Sequence, residues 1–444
     1  MISLSEKISS FSPAAYVYSY PPTRLYRSVA DFSIERVRFT DDVNLYVHIP
    51  FCEQKCSFCG YLTAIDRSGD QQEVYVDAVI REITMYRDIL KNKRVTSVNF
   101  GGGTPSLLSV TQFVRIMDAL RETHPQLLTT AREISIEATP ESIASGKIRA
   151  LLAAGLTRVS VGIQSLADDE IVRARRHNFA DASRRTIETL RDLDVPNICC
   201  DLMYGLDGQT SASFDRSVTG LLALRPDTIE LYATVIIPGT PMARRESSAM
   251  SHEEKYHSYE RARSTLLAAG YTQDCHLRFV LPGRGAYRQQ EHVFAGQSLI
   301  GFGAGARTYG IDTHYRNVFA GGDGKRAVPA YIHAIQTGNL AVTDAVLLSP
   351  EEQMRRYVIY QLEHLDMADF HTRYASSFAE TFPDQRQALA DLGLAEEHGA
   401  HFHLTDRGLT FRDLIAQTFF SPHTASVESG YRQTVPLLRL RKNR

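Results

Sequence analysis

EISIEATPESIASGKIRALLAAGLTRVSVGI, residues 133–163, reads as a strand, a helix and a second strand. Its ends, EISIEA and LTRVSVGI, carry Ile and Val at the density of strands buried on both faces. Pro140-Glu141 opens the intervening helix, and Gly155 closes it as the usual C-terminal cap would. Two such strands joined through a helix run parallel, with a right-handed crossover.

Working outward, the same unit recurs. VNLYVHI (43–49), VTSVNF (95–100), PNICCDLMYG (196–205) and TIELYATVII (228–237) are further candidate strands. Helices are expected at 72–91, where Val76, Val79, Ile83, Tyr86 and Leu90 keep a helical period, and near 110–124, 181–193, 212–224 and 252–269. Six strand–helix units predict an α/β fold built on a partial (β/α)6, TIM-like barrel. In such sheets ligands sit at the C-terminal strand ends, so the residues that follow each strand should carry the chemistry.

The flanks divide the chain into an N-terminal arm (1–42), the barrel (43–270), a sheet extension with cofactor and substrate loops (271–345) and a small, mostly helical or winged-helix-like C-terminal domain (346–444). Within the last, helices are expected at 350–364, 375–382 and 384–392, then a strand, turn and helix in FHLTDRGLTFRDLIAQTF (402–419).

Composition narrows the class. A net charge of -2, with 43% hydrophobic and 23% charged residues over 444 positions, offers no field to attract nucleic acid. No apolar run approaches the ~20 residues that span a bilayer. The opening MISLSEKISSFSPAAY, with Glu6 and Lys7, lacks the apolar core of a secretion signal. A cytoplasmic monomer without membrane or nucleic-acid partners is expected, and in a reducing compartment clustered cysteines bind metal or do redox chemistry.

Three of the six cysteines lie in HIPFCEQKCSFCGYLT (48–63), as C-x3-C-x2-C directly after the first strand. Structural zinc would need a fourth ligand, which His48 could supply. A 4Fe-4S cluster held by three thiolates would instead leave one iron open to a cofactor or substrate. Cys199, Cys200 and Cys275 lie on or near strands and read as core residues, and His276 and His292 as satisfied structural groups. GFGAG (301–305) reads as close backbone packing, since no ribose-binding acid follows it in a βαβ unit.

The cysteine motif, followed in order by VNFGGGTPSLL, ISIEATP, VSVGIQSL and CDLMYGL, resembles the radical S-adenosylmethionine enzymes. It is similar in particular to the subgroup named for oxygen-independent coproporphyrinogen III oxidase, from about Leu45 to Gly310 and more weakly to about residue 420. The resemblance implies that Cys52, Cys56 and Cys59 ligate a 4Fe-4S cluster and that S-adenosylmethionine chelates its fourth iron. It implies that Tyr46, Gly102 and Glu137 border this first S-adenosylmethionine. Phe58, Gly103, Thr104, Gln164, Arg176, Asp201 and Val235 would line a second molecule of it. A flavodoxin or ferredoxin would supply electrons.

Two departures set the expected activity. Tyr61 stands where the oxidase has a further cysteine, and LDGQT (206–210) differs from the LPGQT usual in haem-trafficking relatives. These, with the arm and its SYPPTRLYR (19–27), lead to the expectation of a class C radical methyltransferase, or a methylene transferase that closes a cyclopropane, acting on an unsaturated, aromatic metabolite, with a partner methyltransferase as a further candidate component. The alternatives are a coproporphyrinogen III oxidase-like or anaerobic haem-degrading enzyme, or a haem chaperone. Arg307 stands where the oxidase pattern is apolar.

Overall fold

The computed structural model describes residues 3–13, 16–244 and 250–430. Its strands, in chain order, are β1 Arg27–Ser28, β2 Asp42–Ile49, β3 Arg94–Gly102, β4 Glu133–Ala138, β5 Arg158–Gln164, β6 Asn197–Tyr204, β7 Thr228–Ala233, β8 Thr272–Cys275, β9 Arg278–Val280, β10 Ser298–Phe302, β11 Arg307–Tyr309, β12 Thr313–Asn317, β13 Val342–Leu347, β14 Leu365–Asp366, β15 Ala395–His398 and β16 His401–Leu404. The first thirteen form one sheet in the order β1-β13-β12-β11-β10-β2-β3-β4-β5-β6-β7-β9-β8. From β2 to β7 every neighbouring pair is parallel, as six strand–helix units require. β10 then returns to lie parallel beside β2, Ser298 opposite Val43, and the remaining strands extend the sheet antiparallel on either side. The fold is α/β, a partial barrel with a mixed extension.

The barrel strands are not apolar on both faces. In EISIEA, Ile134 and Ile136 pack in the main apolar core with Phe113, Ile116 and Leu120 of the helix Val110–Thr123. The alternate residues Glu133, Ser135 and Glu137 occupy the other face, where Ser135 donates to Asn99 of β3 at 2.7 Å. Period-two alternation therefore gives this barrel a polar interior within a greasy shell.

Several boundaries differ from expectation, each for a local reason. The run 228–237 stops being a strand at Ala233, and Val235, Ile236 and Ile237 stand exposed in the following loop. The helix expected at 72–91 is divided at Tyr86 into Asp70–Met85 and Arg87–Leu90. After Pro140 a single 3-10 turn precedes the helix Ser145–Ala153, and Gly155, at φ +105°, turns the chain out of it. Helices Arg288–Phe294 and Gly324–Gln336 interrupt the stretch read as loops and short strands.

Beyond residue 346, helices Pro350–Gln361, Met367–Tyr374 and Pro383–Asp391 surround a small antiparallel sheet, β14-β16-β15, two of whose strands the sequence reading lacked. The arm does not trail free. Val17 and Tyr20 join the apolar core of this C-terminal region. Arg412 reaches the Val17 carbonyl at 3.2 Å and the Ile359 carbonyl at 2.6 Å.

Candidate active site

The cysteine loop leaves β2 and is pinned by backbone bonds from three directions. Thr104 N–H donates to the Phe51 carbonyl at 2.8 Å, Ser57 N–H to Ala174 at 2.9 Å, and Met242 N–H to the Ser57 carbonyl at 2.9 Å. Gly103 sits so close beneath the loop that a Cβ would fall 2.7 Å from the Phe51 carbonyl oxygen. Only glycine fits there without displacing backbone.

Side chains then reach the thiols. Thr104 Oγ1 donates to Cys52 Sγ at 3.5 Å, and Arg176 Nη1 to Cys56 Sγ at 3.5 Å. Arg176 is buried, which excludes a solvated helix end for it. Its remaining nitrogens hold Gly162 O and Asn178 Oδ1, each at 2.7 Å. The guanidinium is thus fully engaged as a brace between β5 and the cysteine loop. Burial pushes the Cys52 thiol up to about 12 and raises Cys59 as well, so both stay protonated until a metal displaces the proton.

The donor set discriminates between metals. Two thiolates on one zinc ion, each about 2.3 Å from it, must lie within roughly 4 Å of each other. Among the described residues, sets of three ligand atoms within 4.8 Å of one another occur at Cys275–His276–Glu363, Glu396–His398–His403 and Cys199–Asp201–Glu230, and not at the cysteine loop. His48, its Nδ1 paired with Tyr46 Oη at 3.1 Å, belongs to none of these sets. Three spread thiols with cationic and hydroxyl donors at the sulfurs fit a multi-iron cluster.

Beside the loop, Gly102 at φ +116° donates its N–H to Glu137 Oε2 at 3.0 Å. A Cβ on Gly101 would meet both Glu137 and Tyr46, so Tyr46, Gly102 and Glu137 form one wall. Burial raises the Glu137 carboxyl above its ordinary range. Gln164, at φ +68°, meets Arg176 over Gly162, and its Oε1 is buried without a partner. Phe58 is half-buried in the cysteine loop, and the exposed segment carrying Val235 returns to it, with Ile237 packed on Gly60.

Deeper in the barrel, Asp201 accepts from Ser160 at 3.2 Å and faces Glu230. Burial and the Glu230 charge drive Asp201 upward, towards the neutral acid. Burial would raise Glu230 too, but Arg278 Nε at 2.9 Å and Arg158 at 3.4 Å outweigh it and hold that carboxyl ionised. Two guanidiniums against one carboxylate leave no charge for a cation at Cys199–Asp201–Glu230. Arg158, Glu230 and Arg278 were not singled out from the sequence; alternation in RVSVGI and TIELYA was the signal that could have found them. The arm crosses the rim above, the Tyr16 ring lying 5.5 Å from that of His276 and 6.4 Å from that of Tyr232.

Cys199 and Cys200 are buried on β6, and burial raises both thiols. Cys275 is only half-buried. His276 is bound to Glu363 at 2.9 Å and His292 to Asn44 at 3.2 Å. In GFGAG, Gly303 N–H donates to the buried Glu82 at 2.7 Å, and a Cβ there would strike the His48 carbonyl.

The sequence matches the Radical SAM superfamily over residues 46–219 and the HemN C-terminal domain over residues 348–411. The oxygen-independent coproporphyrinogen III oxidase of Pseudomonas aeruginosa is 30% identical over 82% of this chain and 83% of the relative. The chain belongs to the radical SAM family of oxygen-independent coproporphyrinogen III oxidases. Within this family the Paracoccus denitrificans oxidase is 28% identical over 85% of this chain and 86% of its own, and the heme chaperone HemW of Bacillus subtilis 28% identical over 82% and 95%. The fold agrees: the solved structure of coproporphyrinogen III oxidase (HemN) from Escherichia coli covers 91% of this chain and 96% of its own at a TM-score of 0.78 and 24% identity.

Radical SAM proteins use a 4Fe-4S cluster and S-adenosylmethionine, and the cysteine loop suits that cluster. The methyltransferase and cyclopropane-forming expectation is overturned, and the partner methyltransferase goes with it. Relatives similar over more than four-fifths of the chain are oxidases and heme chaperones. The expectation leaned on Tyr61, one side chain among Tyr18, Cys59 and Arg307 at the site, whereas the likeness runs through barrel, extension and C-terminal region. Among the described residues no helix is long and apolar enough to cross a membrane.

Proposed function

We propose that the protein carries out oxygen-independent oxidative decarboxylation of a propionate-bearing porphyrinogen, in the manner of the coproporphyrinogen III oxidases it resembles: the propionate side chain would lose a hydrogen atom to the 5'-deoxyadenosyl radical, its carboxylate as carbon dioxide, and one electron to a one-electron acceptor, leaving a vinyl group. The observation that carries this reading is the co-occurrence of the braced cysteine loop with likeness that extends through the C-terminal region. Cys52, Cys56 and Cys59 would hold the cluster, which when loaded supplies the electron that cleaves S-adenosylmethionine to a hydrogen-abstracting 5'-deoxyadenosyl radical.

The chain's own residues have separable roles. Tyr46, Gly102 and Glu137 form the wall for the first S-adenosylmethionine, with Glu137 suited to an ammonium or ribose hydroxyl. Phe58, Gly103, Thr104, Gln164, Asp201 and Val235 border the space for a second molecule, and the unpaired Gln164 Oε1 offers an acceptor there. Arg176 fixes the loop by its three engaged nitrogens. Tyr16, its ring beside those of His276 and Tyr232, ties the arm to the barrel. A small ferredoxin or flavodoxin is the proposed electron donor, and a monomer the proposed working unit.

The test is anaerobic incubation of the reconstituted protein with reductant, S-adenosylmethionine and coproporphyrinogen III. Substrate-dependent formation of 5'-deoxyadenosine with release of carbon dioxide and appearance of vinyl groups supports the reading. Tight haem binding without cleavage of S-adenosylmethionine would replace it with a chaperone.

A further inference from the structure

Where the sheet extension meets the C-terminal helix Pro350–Gln361, the inner face carries cationic side chains with no acid to answer them. Arg307 and Arg316 are direct cross-strand partners on β11 and β12. Arg316 has its carboxylate, Asp344, at 2.6 Å. Arg307 has none: it donates to the Tyr18 hydroxyl at 3.1 Å and lies over that ring. Beside Tyr309 stands Arg356, only 7% exposed, its Cζ 5.9 Å from the Tyr309 centroid and 5.2 Å from that of Tyr360. Its Nε and Nη2 are buried with no hydrogen-bond partner. Among the described residues no carboxylate lies within 4 Å of either Arg307 or Arg356.

The neighbours are equally unspent. His314, fully buried with its ring 4.9 Å from Tyr309, uses neither nitrogen, and the buried Tyr26 hydroxyl has no partner. Buried polar groups are almost always paired, and a buried guanidinium lacking an acid is rarer still. Several on one face describe a surface prepared for an anion that arrives from outside. That face is continuous with the site, because Tyr309 belongs with Leu299 and Val293 to a small apolar cluster against which Tyr46 packs, the residue beside Glu137 and Gly101.

We propose that Arg307 and Arg356, both beside Tyr309, form the carboxylate-recognising wall of the substrate site, and that the substrate is built of aromatic rings and carries at least two acidic groups. The aromatic rings follow from the phenol rings of Tyr18, Tyr309 and Tyr360 beside the guanidiniums; the acidity follows from the guanidiniums themselves. The inference deepens the porphyrinogen reading and takes the identity of its ligand from it.

The test uses the full chain and the stable, oxidised coproporphyrin III, as the free tetra-acid and as its tetramethyl ester, titrated by fluorescence. The tetra-acid should bind at least about tenfold more tightly than the ester, and Arg307→Met or Arg356→Met should each remove about tenfold for the acid while leaving the ester unchanged. Equal binding of acid and ester, or equal loss for both in the variants, overturns the inference. Thermal unfolding without ligand separates it from a structural role. An unpaired buried charge kept for binding predicts that Arg356→Met melts higher than the parent, and lower melting overturns the anion wall. A parent that binds neither porphyrin while Arg356→Met melts higher overturns the porphyrinogen reading and supports the anion wall.

Discussion

Arg176 Nη1 lies 3.5 Å from Cys56 Sγ while its other nitrogens grip Gly162 and Asn178. A residue of the β5 crossover therefore fixes the position and charge environment of a thiolate that belongs to the loop after β2. Arg176→Met keeps the bulk and removes the donors. We expect iron loading to persist and turnover of S-adenosylmethionine to fall about 10–100-fold, as for other outer partners of metal ligands. Iron and sulfide content measured beside 5'-deoxyadenosine formation checks this; loss of iron in proportion to activity would make Arg176 a folding residue.

Gly102 combines φ +116° with His48 Cε1 only 2.6 Å from the place a Cβ would take. Gly102→Ala should destabilise the protein by about 2–4 kcal/mol, from left-handed strain plus overpacking against a buried ring. Denaturant unfolding gives the magnitude. Gly146→Ala, where a Cβ meets open space, serves as the control.

Glu82 predicts a dependence on pH. Its carboxylate oxygens accept from Gly303 N–H, Tyr331 Oη and Asn317 Nδ2, each at 2.7 Å, yet burial prevails and lifts the acid from 4.5 to about 7. The folded protein thus holds this proton more tightly than the unfolded chain. Its stabilising contribution is full below pH 4.5 and is lost as pH rises through about 7. Between pH 4.5 and 8 the loss should be about 3 kcal/mol. Unfolding curves of the parent and Glu82→Gln across that interval should diverge in slope, the variant being the flatter; parallel curves would refute the assignment.

Glu230 binds both Arg278 and Arg158 inside the barrel. Glu230→Gln leaves the buried Arg158 without its ion-pair partner and Arg278 with Asp274 alone, and should cost about 3–5 kcal/mol. Burial is the main reason Asp201 is raised and the Glu230 charge the second, so removing that charge should let the Asp201 carboxyl titrate lower. Infrared titration of the carboxyl band reports this directly.

The order of strands was legible because each βα unit advertises itself locally, by β-branched runs, a proline-opened helix and a closing glycine such as Gly155. The cysteine loop and Thr104 were legible for the same reason, since they follow β2 and β3, whereas Tyr46, Glu137 and Asp201 lie within their strands. The pairing of β10 with β2 was not, since nothing near Ser298 points to Val43. Nor was the polar interior, because Glu230 and Arg278 gain meaning only from each other across the sheet. The activity was misread for the opposite reason. Tyr61 is conspicuous in the sequence and stands at the site, among Tyr18, Cys59 and Arg307, but one position carries little information about a likeness spread over the whole chain.

The return of β10 to β2 bears on how the chain is made. On a ribosome β2 emerges early, while the strand that covers its outer edge follows roughly 250 residues later. Throughout that interval VNLYVHI presents unpaired backbone groups along one side, and the cysteine loop hangs from its end. The nascent barrel is therefore an open, aggregation-prone edge until Ser298–Phe302 arrives, and cluster loading into a firmly seated loop should await completion of the chain.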